Sequence, residues 1–501
     1  MNGLEAPFYG RELEVSRYVP FKLFMNVTRE QFTKIVATVG PACSDYEKLL
    51  DLVNAGVDVF RLNFSHGTHE DHLKVIKHVL YINDKYNTHI SLLADLQGPK
   101  LRVGKMKGGG IEIAPDDVLT FTNEECIGTK EKIYMSYPEF AQDVEVGAKV
   151  LIDDGQIELE VLETNGRDIV KLKVLYGRVL SSNKGVNLPD TNISLPCLTE
   201  KDLVDLEFVL KHPFNWIALS FVRSYEDILD LRRHLKAAKH RAKIIAKIEK
   251  PEAISNINAI IDATDGVMVA RGDLGVEVPM ERLPMLQKTI IEKCRDKGRP
   301  VIVATQMMDS MIKNPSPTRA EIIDVANAVL DGADAVMLSA ETSVGMHPTK
   351  VVKAMTKIID EAEKDEKIYF RTTPPDIISP TYLSDAICYT ACQLAEEVKA
   401  RTIIGMTKSG YTGFMVSRCR PKCHIYIFSN NTHILGTLNL VWGIKAFYYD
   451  KFTSTDDTIK DVQDILKNAG LIQFGDIVIN TGSMPLESRL RTNMLKVTKV
   501  S

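Results

Sequence analysis

The sequence predicts an α/β protein: a (β/α)8 TIM barrel with an inserted all-β lid domain and a C-terminal open parallel α/β domain. Three observations carry this expectation. Eight short apolar, β-branched runs each lead into a helical pattern, six of the seven intervals between their starts are about 23 to 35 residues, and the remaining interval is about 126. Continuous apolar strands suit a parallel sheet covered on both faces. The short interval is one strand–helix unit, and eight such units close a barrel. The expected division is an N-terminal segment (1–32), the barrel (33–103 and 189–360), the lid (104–188) and the last domain (361–501).

In chain order, the barrel strands are expected at 33–39, 57–65, 90–97, 216–222, 243–249, 266–272, 300–306 and 335–341. Helices are expected at 45–54, 284–297 and 317–330, the last two opening on Pro284 and Pro317, which a first helical turn tolerates. Within the long interval, alternating stretches at 111–113, 118–122, 150–152, 157–162 and 169–174 read as strands. Gly108, Gly109 and Gly110, Asp153-Asp154-Gly155 and Asn165-Gly166 supply the turns. An insertion in a βα loop at the C-terminal face can act as a lid. A Pro- and Thr-rich linker at 372–380 then leads to expected parallel strands at 402–406, 424–428, 444–448 and 476–480.

Composition narrows the function classes. Sixty-two basic and sixty-six acidic side chains leave a formal net charge of −4, which argues against wholesale binding of nucleic acid or anionic membrane. No apolar run of about 18 residues is present. The first residues, with Glu5, Arg11 and Glu12, lack a secretory core, so a cytoplasmic location is expected. Eight cysteines are too dilute for a disulfide scaffold. Cys388 and Cys392, at helical i,i+4 spacing, read as core thiols rather than as zinc ligands with Cys419 and Cys423. The Asn26-Val27-Thr28 sequon reads as chance, Arg271-Gly272-Asp273 as a strand end rather than an adhesion tripeptide, and Met307, Met308 and Met311 as helix packing.

Chemistry gathers at the strand ends, where barrel active sites lie. Strand two ends Arg61-Leu62-Asn63-Phe64-Ser65-His66, and strand three Asp95-Leu96-Gln97-Gly98-Pro99-Lys100. Strand five ends Lys247-Ile248-Glu249 and strand six Arg271-Gly272-Asp273, while strands seven and eight end Thr305-Gln306 and Ser339-Ala340-Glu341. Any one could be a solvated edge, but six on one rim point to a site. Glu249 and Asp273 are hard oxygen ligands of the kind that hold Mg²⁺ together with substrate oxygens. Lys247 lies two residues before Glu249, on the same face of the strand, and a cation beside such a metal offsets charge in phosphoryl transfer. Arg61, His66 and Arg102 add anion donors. The chain has no G-x-x-x-x-G-K-[ST] phosphate loop, and the run from Gly108 reads as a hairpin tip.

Eight stretches together resemble the pyruvate kinase family: TKIVATVGPA (33–42), FRLNFSHG (60–67), GVNLP (185–189), KIEKPE (247–252), GVMVARGDLGVE (266–277), VIVATQMMDSM (301–311), PTRAEIIDVANAV (317–329) and DGADAVMLSAET (331–342). The likeness is close over about 33–360 and looser in the last domain. It implies transfer of the phosphoryl group of phosphoenolpyruvate to ADP, giving pyruvate and ATP, with Mg²⁺ or Mn²⁺, in a glycolytic homotetramer with an allosteric effector domain. By the same resemblance, Glu249 and Asp273 would be metal ligands, and Lys247 would stabilise the transferring phosphoryl and the enolate. Arg61 would bind the phosphate, and the Gly272 and Asp273 backbone the substrate carboxylate. Thr305 would contact substrate and, with Ser339, order the proton donor. Asn63, His66, Arg102 and Lys184 would serve the nucleotide.

The chain departs from the commonest family pattern at the monovalent-cation site. Asn63, Ser65 and Asp95 match three of the family's K⁺ ligands, but Leu96 stands at the Thr position and Lys100 at the supporting Glu position. With Gln97 and Val103, these resemble the K⁺-independent branch. An ammonium group near the substrate carboxylate supplies the charge of a monovalent ion, so K⁺ is not expected to be required. In the last domain, Thr407, Lys408, Ser409, Gly410, Tyr411 and Thr412 resemble the family's sugar-phosphate loop, with hydroxyls and backbone N–H groups suited to a phosphate. The family's Trp and Arg anchors find no match in 453–465 or 481–485, so a phosphorylated effector is expected without its identity. Two other readings use the same residues: a metal-dependent pyruvate-handling aldol lyase, and a non-catalytic metabolite-sensing relative. The lyase needs neither lid nor third domain, and the non-catalytic relative should have lost one of Arg61, Lys247, Glu249, Asp273 and Thr305, all of which are present.

Overall fold

The computed structural model describes residues 29–371, 373–451, 454–484 and 491–501, so the 26–28 sequon, the charged residues before it, and Thr372, Thr453 and Pro485 lie outside the described residues. The first strands are β1 (Lys34–Thr38), β2 (Val59–Asn63) and β3 (Ser91–Asp95). An inserted set follows: β4 (Gly110–Glu112), β5 (Val118–Thr122), β6 (Ile133–Tyr134), β7 (Lys149–Ile152), β8 (Ile157–Thr164), β9 (Ile169–Tyr176), β10 (Val179–Ser181) and β11 (Val186–Asn187). The parallel series resumes with β12 (Trp216–Leu219), β13 (Lys243–Ile248), β14 (Gly266–Ala270), β15 (Val301–Ala304) and β16 (Ala335–Leu338). The parallel strands close as a barrel in the order β1-β16-β15-β14-β13-β12-β3-β2.

Strand period two explains the packing. Ile35 and Ala37 face outward with the helix residues Leu49 and Leu52, whereas Val36 joins Val59, Leu93, Trp216, Ile245, Met268 and Ile302 in the barrel interior. Both faces are buried, which is why each strand is a continuous apolar run. The helices are delimited by local chemistry. Thr68, Thr199 and Thr318 each form a reciprocal capping box with an acid three residues on. Pro317 therefore lies outside its helix, which runs Arg319–Asp331 behind the Thr318 cap, and the expectation of a proline-opened helix is corrected there. Met307, Met308 and Met311 are buried packing residues as expected, but they sit on a loop and a 3-10 turn (Asp309–Ile312) rather than on an α-helix.

The insertion forms a six-stranded sheet, β11-β7-β8-β9-β5-β6, and the pair β10–β4. Its strands alternate buried and exposed, as β9 shows, and enclose Leu119, Phe121, Leu159 and Leu172. Gly108 and Gly109 take left-handed backbones in an open turn, so the triglycine stretch is a turn and not a cradle.

The last domain carries β17 (Thr402–Met406), β18 (His424–Ser429), β19 (Ile444–Tyr448), β20 (Ile477–Gly482) and β21 (Met494–Lys499), in the order β19-β18-β17-β20-β21. The first four are the expected parallel strands, and a fifth that was not expected, β21, pairs antiparallel with β20 at the edge. As a partly exposed edge bearing Lys496 and Lys499, β21 lacks the apolar run of a buried strand. Cys388, Cys392, Cys419 and Cys423 are all buried free thiols. No helix among the described residues is long and apolar enough to cross a membrane.

This domain packs under the N-terminal ends of the barrel strands. Lys34 Nζ donates to the Ile444 carbonyl (2.8 Å), Trp216 Nε1 to that of Thr437 (3.2 Å), and Asn439 Nδ2 to that of Asp58 (2.8 Å). The C-terminal strand ends thus lie on the side away from this domain. Beside this junction, Glu363 accepts the N–H groups of Phe32 (3.0 Å) and Thr33 (2.6 Å), and burial pushes its carboxyl up to about 7. A carboxyl raised in the folded state binds its proton more tightly there, so folding stability falls as pH rises from about 4.5 to about 7. Relative to wild type, Glu363→Gln is therefore expected to gain melting temperature between pH 5 and pH 8. A pH-independent difference in a thermal scan would contradict the assignment.

Candidate active site at the barrel rim

The rim is organised by one chain of buried charge. Arg61, on β2, donates Nε to Asp95 Oδ2 (2.6 Å) and a terminal nitrogen to Thr38 Oγ1 (2.9 Å). Register explains the meeting, because Asn63 pairs with Asp95 across β2 and β3. Lys247 Nζ, from β13, lies 3.2 Å from Asp95 Oδ1 and 3.0 Å from Glu249 Oε1, and donates to Ser220 Oγ at 2.7 Å. Glu249 Oε2 accepts the Phe221 N–H (2.7 Å). The two-residue spacing thus places Lys247 and Glu249 on one face, as expected.

The charges tune one another. Burial alone would raise the Asp95 carboxyl, but the Lys247 and Arg61 charges outweigh it and hold it below the usual range. Burial would lower the Lys247 ammonium, yet Asp95 and Glu249 together push it above its ordinary value. The Glu249 carboxyl is raised, first by burial, with Asp273 adding to the shift against the Lys247 charge. A buried carboxyl raised beside a second acid is suited to a further cation.

Around this centre the backbone is strained. Phe221, Thr305 and Gln306 have φ of 55°, 68° and 54°, a left-handed region that non-glycine residues rarely occupy. Each such position costs about 1–3 kcal/mol and persists where surrounding contacts enforce it, often at functional sites. Here the contacts are visible. Thr305 Oγ1 accepts the Gly272 N–H (2.7 Å) and donates to the Ala304 carbonyl (2.6 Å), while Arg271 donates to the Thr305 carbonyl (2.7 Å) and to Asp324 (2.6 Å). Asp273 lies in the first turn of the helix Arg271–Glu277. Ser339 donates its N–H to Glu341 Oε2 (2.6 Å), and Glu341 Oε1 also accepts the Met308 N–H (3.2 Å).

The other expected residues divide into two groups. Asn63, His66, Lys100 and Arg102 gather with Arg61 at one cationic corner. Burial comes first among the causes that lower the His66 imidazole, followed by the Arg102, Lys100 and Arg61 charges. Asn63 Oδ1 accepts the Ser65 N–H (3.1 Å). Arg102 donates to the Asn183 carbonyl (2.9 Å), beside Lys184, whose ammonium pairs with Asp153 (2.8 Å). The Leu96 carbonyl is taken up by the Ser220 hydroxyl (2.7 Å), and exposed Lys100 lines the cleft between barrel and lid with Asp273, Asn187, Phe221 and Lys250.

The Thr407–Thr412 group lies far off in the last domain, at the end of β17. Gly410, at φ 83°, donates its N–H to Thr407 Oγ1 (3.0 Å) and precedes the helix Tyr411–Ser417. Lys408 and Ser409 are exposed, but Thr412 is buried with its hydroxyl paired to Thr492 (2.7 Å), so it faces away from the loop. Sequence reasoning missed Ser220, the Phe221 N–H and Thr38. For Thr38 and Ser220 the ends of strands one and four were the available signal.

The closed parallel barrel carries its buried charge at the C-terminal ends of its strands, where barrel enzymes place their active sites. Comparison with known proteins narrows the class. Residues 30–352 match the pyruvate kinase barrel domain and residues 385–498 the pyruvate kinase alpha/beta domain. The chain is 42% identical over 476 residues to a pyruvate kinase of Geobacillus stearothermophilus, covering 94% of this chain and 80% of that one. It is 40% identical to a pyruvate kinase of Mycobacterium tuberculosis strain H37Rv, covering 93% and 98%. A crystal structure of a pyruvate kinase from Cryptosporidium parvum superposes with a TM-score of 0.88 at 34% identity, covering 94% of this chain and 96% of that one. The chain belongs to the pyruvate kinase family and is a phosphotransferase.

Proposed function

We propose that this enzyme transfers the phosphoryl group of phosphoenolpyruvate to ADP, giving pyruvate and ATP, at the rim centred on Lys247. The observation that carries the reading is the buried chain Arg61–Asp95–Lys247–Glu249, which ends in a raised carboxyl facing a second acid. Arg61, already aimed by Asp95 and Thr38, binds the phosphate. Lys247, held fully protonated by its two carboxylates, offsets charge on the transferring group and on the enolate left behind. Thr305 and Ser339 order the proton donor to that enolate, and the Gly272 and Asp273 backbone receives the substrate carboxylate once Thr305 releases the Gly272 N–H. Asn63, His66, Arg102 and Lys184 hold the nucleotide. The lid over 104–188 shields the cleft, and the Thr407–Thr412 loop takes a phosphorylated effector in a homotetramer.

A divalent metal fits the acids present. The Asp273 charge adds to the raising of the Glu249 carboxyl, and no group of three or more His, Cys, Asp or Glu among the described residues forms a complete cage. Mg²⁺ or Mn²⁺ would therefore be held by these two carboxylates with substrate oxygens completing the shell, and would neutralise the phosphoryl oxygens. Lys100 takes the place of K⁺. Support comes from its position lining the same cleft as Asp273 and from the Leu96 carbonyl, already used by Ser220. Steady-state turnover in K⁺-free Tris buffer is expected to change less than about twofold on adding K⁺, since the ammonium supplies an equivalent charge. A strong activation by K⁺ would overturn the Lys100 assignment and leave the rest intact.

A further inference from the structure

We propose that Glu277 is a positioning residue whose single carboxylate oxygen latches the lid to the segments bearing Glu249 and Asp273. The inference rests on the metal-binding reading of those two acids. Glu277 Oε1 accepts Lys250 Nζ at 2.6 Å and Asn187 Nδ2 at 2.8 Å. Its other oxygen, Oε2, is buried without a hydrogen-bond partner, so the whole attachment runs through Oε1. The side chains of Lys250 and Glu277 are 6% and 0% exposed.

The three residues come from three places that matter. Lys250 directly follows Glu249. Glu277 closes the helix whose first turn holds Asp273. Asn187 ends β11, three residues beyond Lys184, on the chain that returns from the lid. That chain also accepts Arg102 at the Asn183 carbonyl. Fixing Asn187 therefore fixes Lys184 and Arg102, two of the proposed nucleotide side chains, relative to the proposed metal ligands.

The chemistry divides the latch into a base and an arm. The Lys250–Glu277 pair is buried, and separating it would strand a charge, so it stays closed. Asn187 is a neutral donor and can leave Oε1 without stranding charge. Opening of the lid then breaks the Asn187 contact and preserves the ion pair, and closing restores the same register each time.

The test uses the full-length enzyme. Asn187→Ala is expected to raise the KM for ADP about tenfold, the factor that one hydrogen bond to a charged group is worth. Its kcat, its melting temperature and its Mn²⁺ affinity read by electron paramagnetic resonance should stay near wild type. Glu277→Gln leaves Lys250 unneutralised beside Glu249 and should weaken Mn²⁺ binding, while Lys250→Met with Glu277→Gln should restore it. A KM for ADP within twofold of wild type in Asn187→Ala, or no recovery of Mn²⁺ affinity in the double variant, would overturn the latch. Asp273→Asn serves as the separate control. If it binds Mn²⁺ as wild type does, the metal reading itself fails, whereas its loss of binding beside an unaltered Asn187→Ala condemns the latch alone.

Discussion

Lys247→Met is expected to lower turnover about 10³-fold while the circular dichroism of the folded protein is unchanged. The magnitude follows from removing a fixed charge aimed at a developing anion in a site with little water, where one such group is worth about 10² to 10³ or more. The fold survives because the partners have alternatives. Asp95 keeps Arg61 at 2.6 Å, and burial already raises the Glu249 carboxyl, which favours its uncharged form once the ammonium is gone. Lys247→Arg should recover little. The ammonium serves Asp95, Glu249 and Ser220 from one point at 2.7 to 3.2 Å, a geometry that a planar guanidinium does not reproduce. Wild-type turnover in Lys247→Met, measured by coupled pyruvate detection, would remove Lys247 from the site.

The second large effect lies at the opposite end of the barrel. Arg420→Met is expected to destabilise the protein by about 3–5 kcal/mol, the usual cost of leaving one member of a buried pair alone. Arg420 is 1% exposed and donates to Asp334 Oδ2 (3.0 Å), the Gly332 carbonyl (2.8 Å) and the Ser417 carbonyl (2.9 Å), with its guanidinium over the Trp442 ring. Asp334 in turn accepts the N–H groups of Val301 (3.0 Å) and Trp442 (3.2 Å), so one carboxylate ties β15 to the last domain. Loss of the arginine should lower the first unfolding transition in calorimetry and loosen the last domain from the barrel. An unchanged transition would show that the clasp contributes nothing to the junction.

Much of the fold was legible in the sequence because buried parallel strands write themselves as apolar runs. The runs overshot where the polar rim began. The expected strand 300–306 ends at Ala304, since Thr305 and Gln306 turn into left-handed backbone that no propensity signals. The two- and three-residue strands β6, β10 and β11 are too short to show a period, and β21 carries no continuous apolar run. At the site, Lys247 and Glu249 were visible through their spacing. The Arg61–Asp95 contact was not, because it depends on register between two strands. The Phe221 N–H was invisible for a simpler reason: a backbone donor has no residue type.

The assignment as a phosphoryl-transfer site fed by one divalent metal and by side-chain cations is tested most directly by a coupled assay of pyruvate formation in K⁺-free buffer. Phosphoenolpyruvate with ADP and Mg²⁺ should yield pyruvate and ATP in equal amounts, and omission of ADP or addition of excess chelator should stop both. Pyruvate released without ADP, or turnover indifferent to the chelator, would contradict the account.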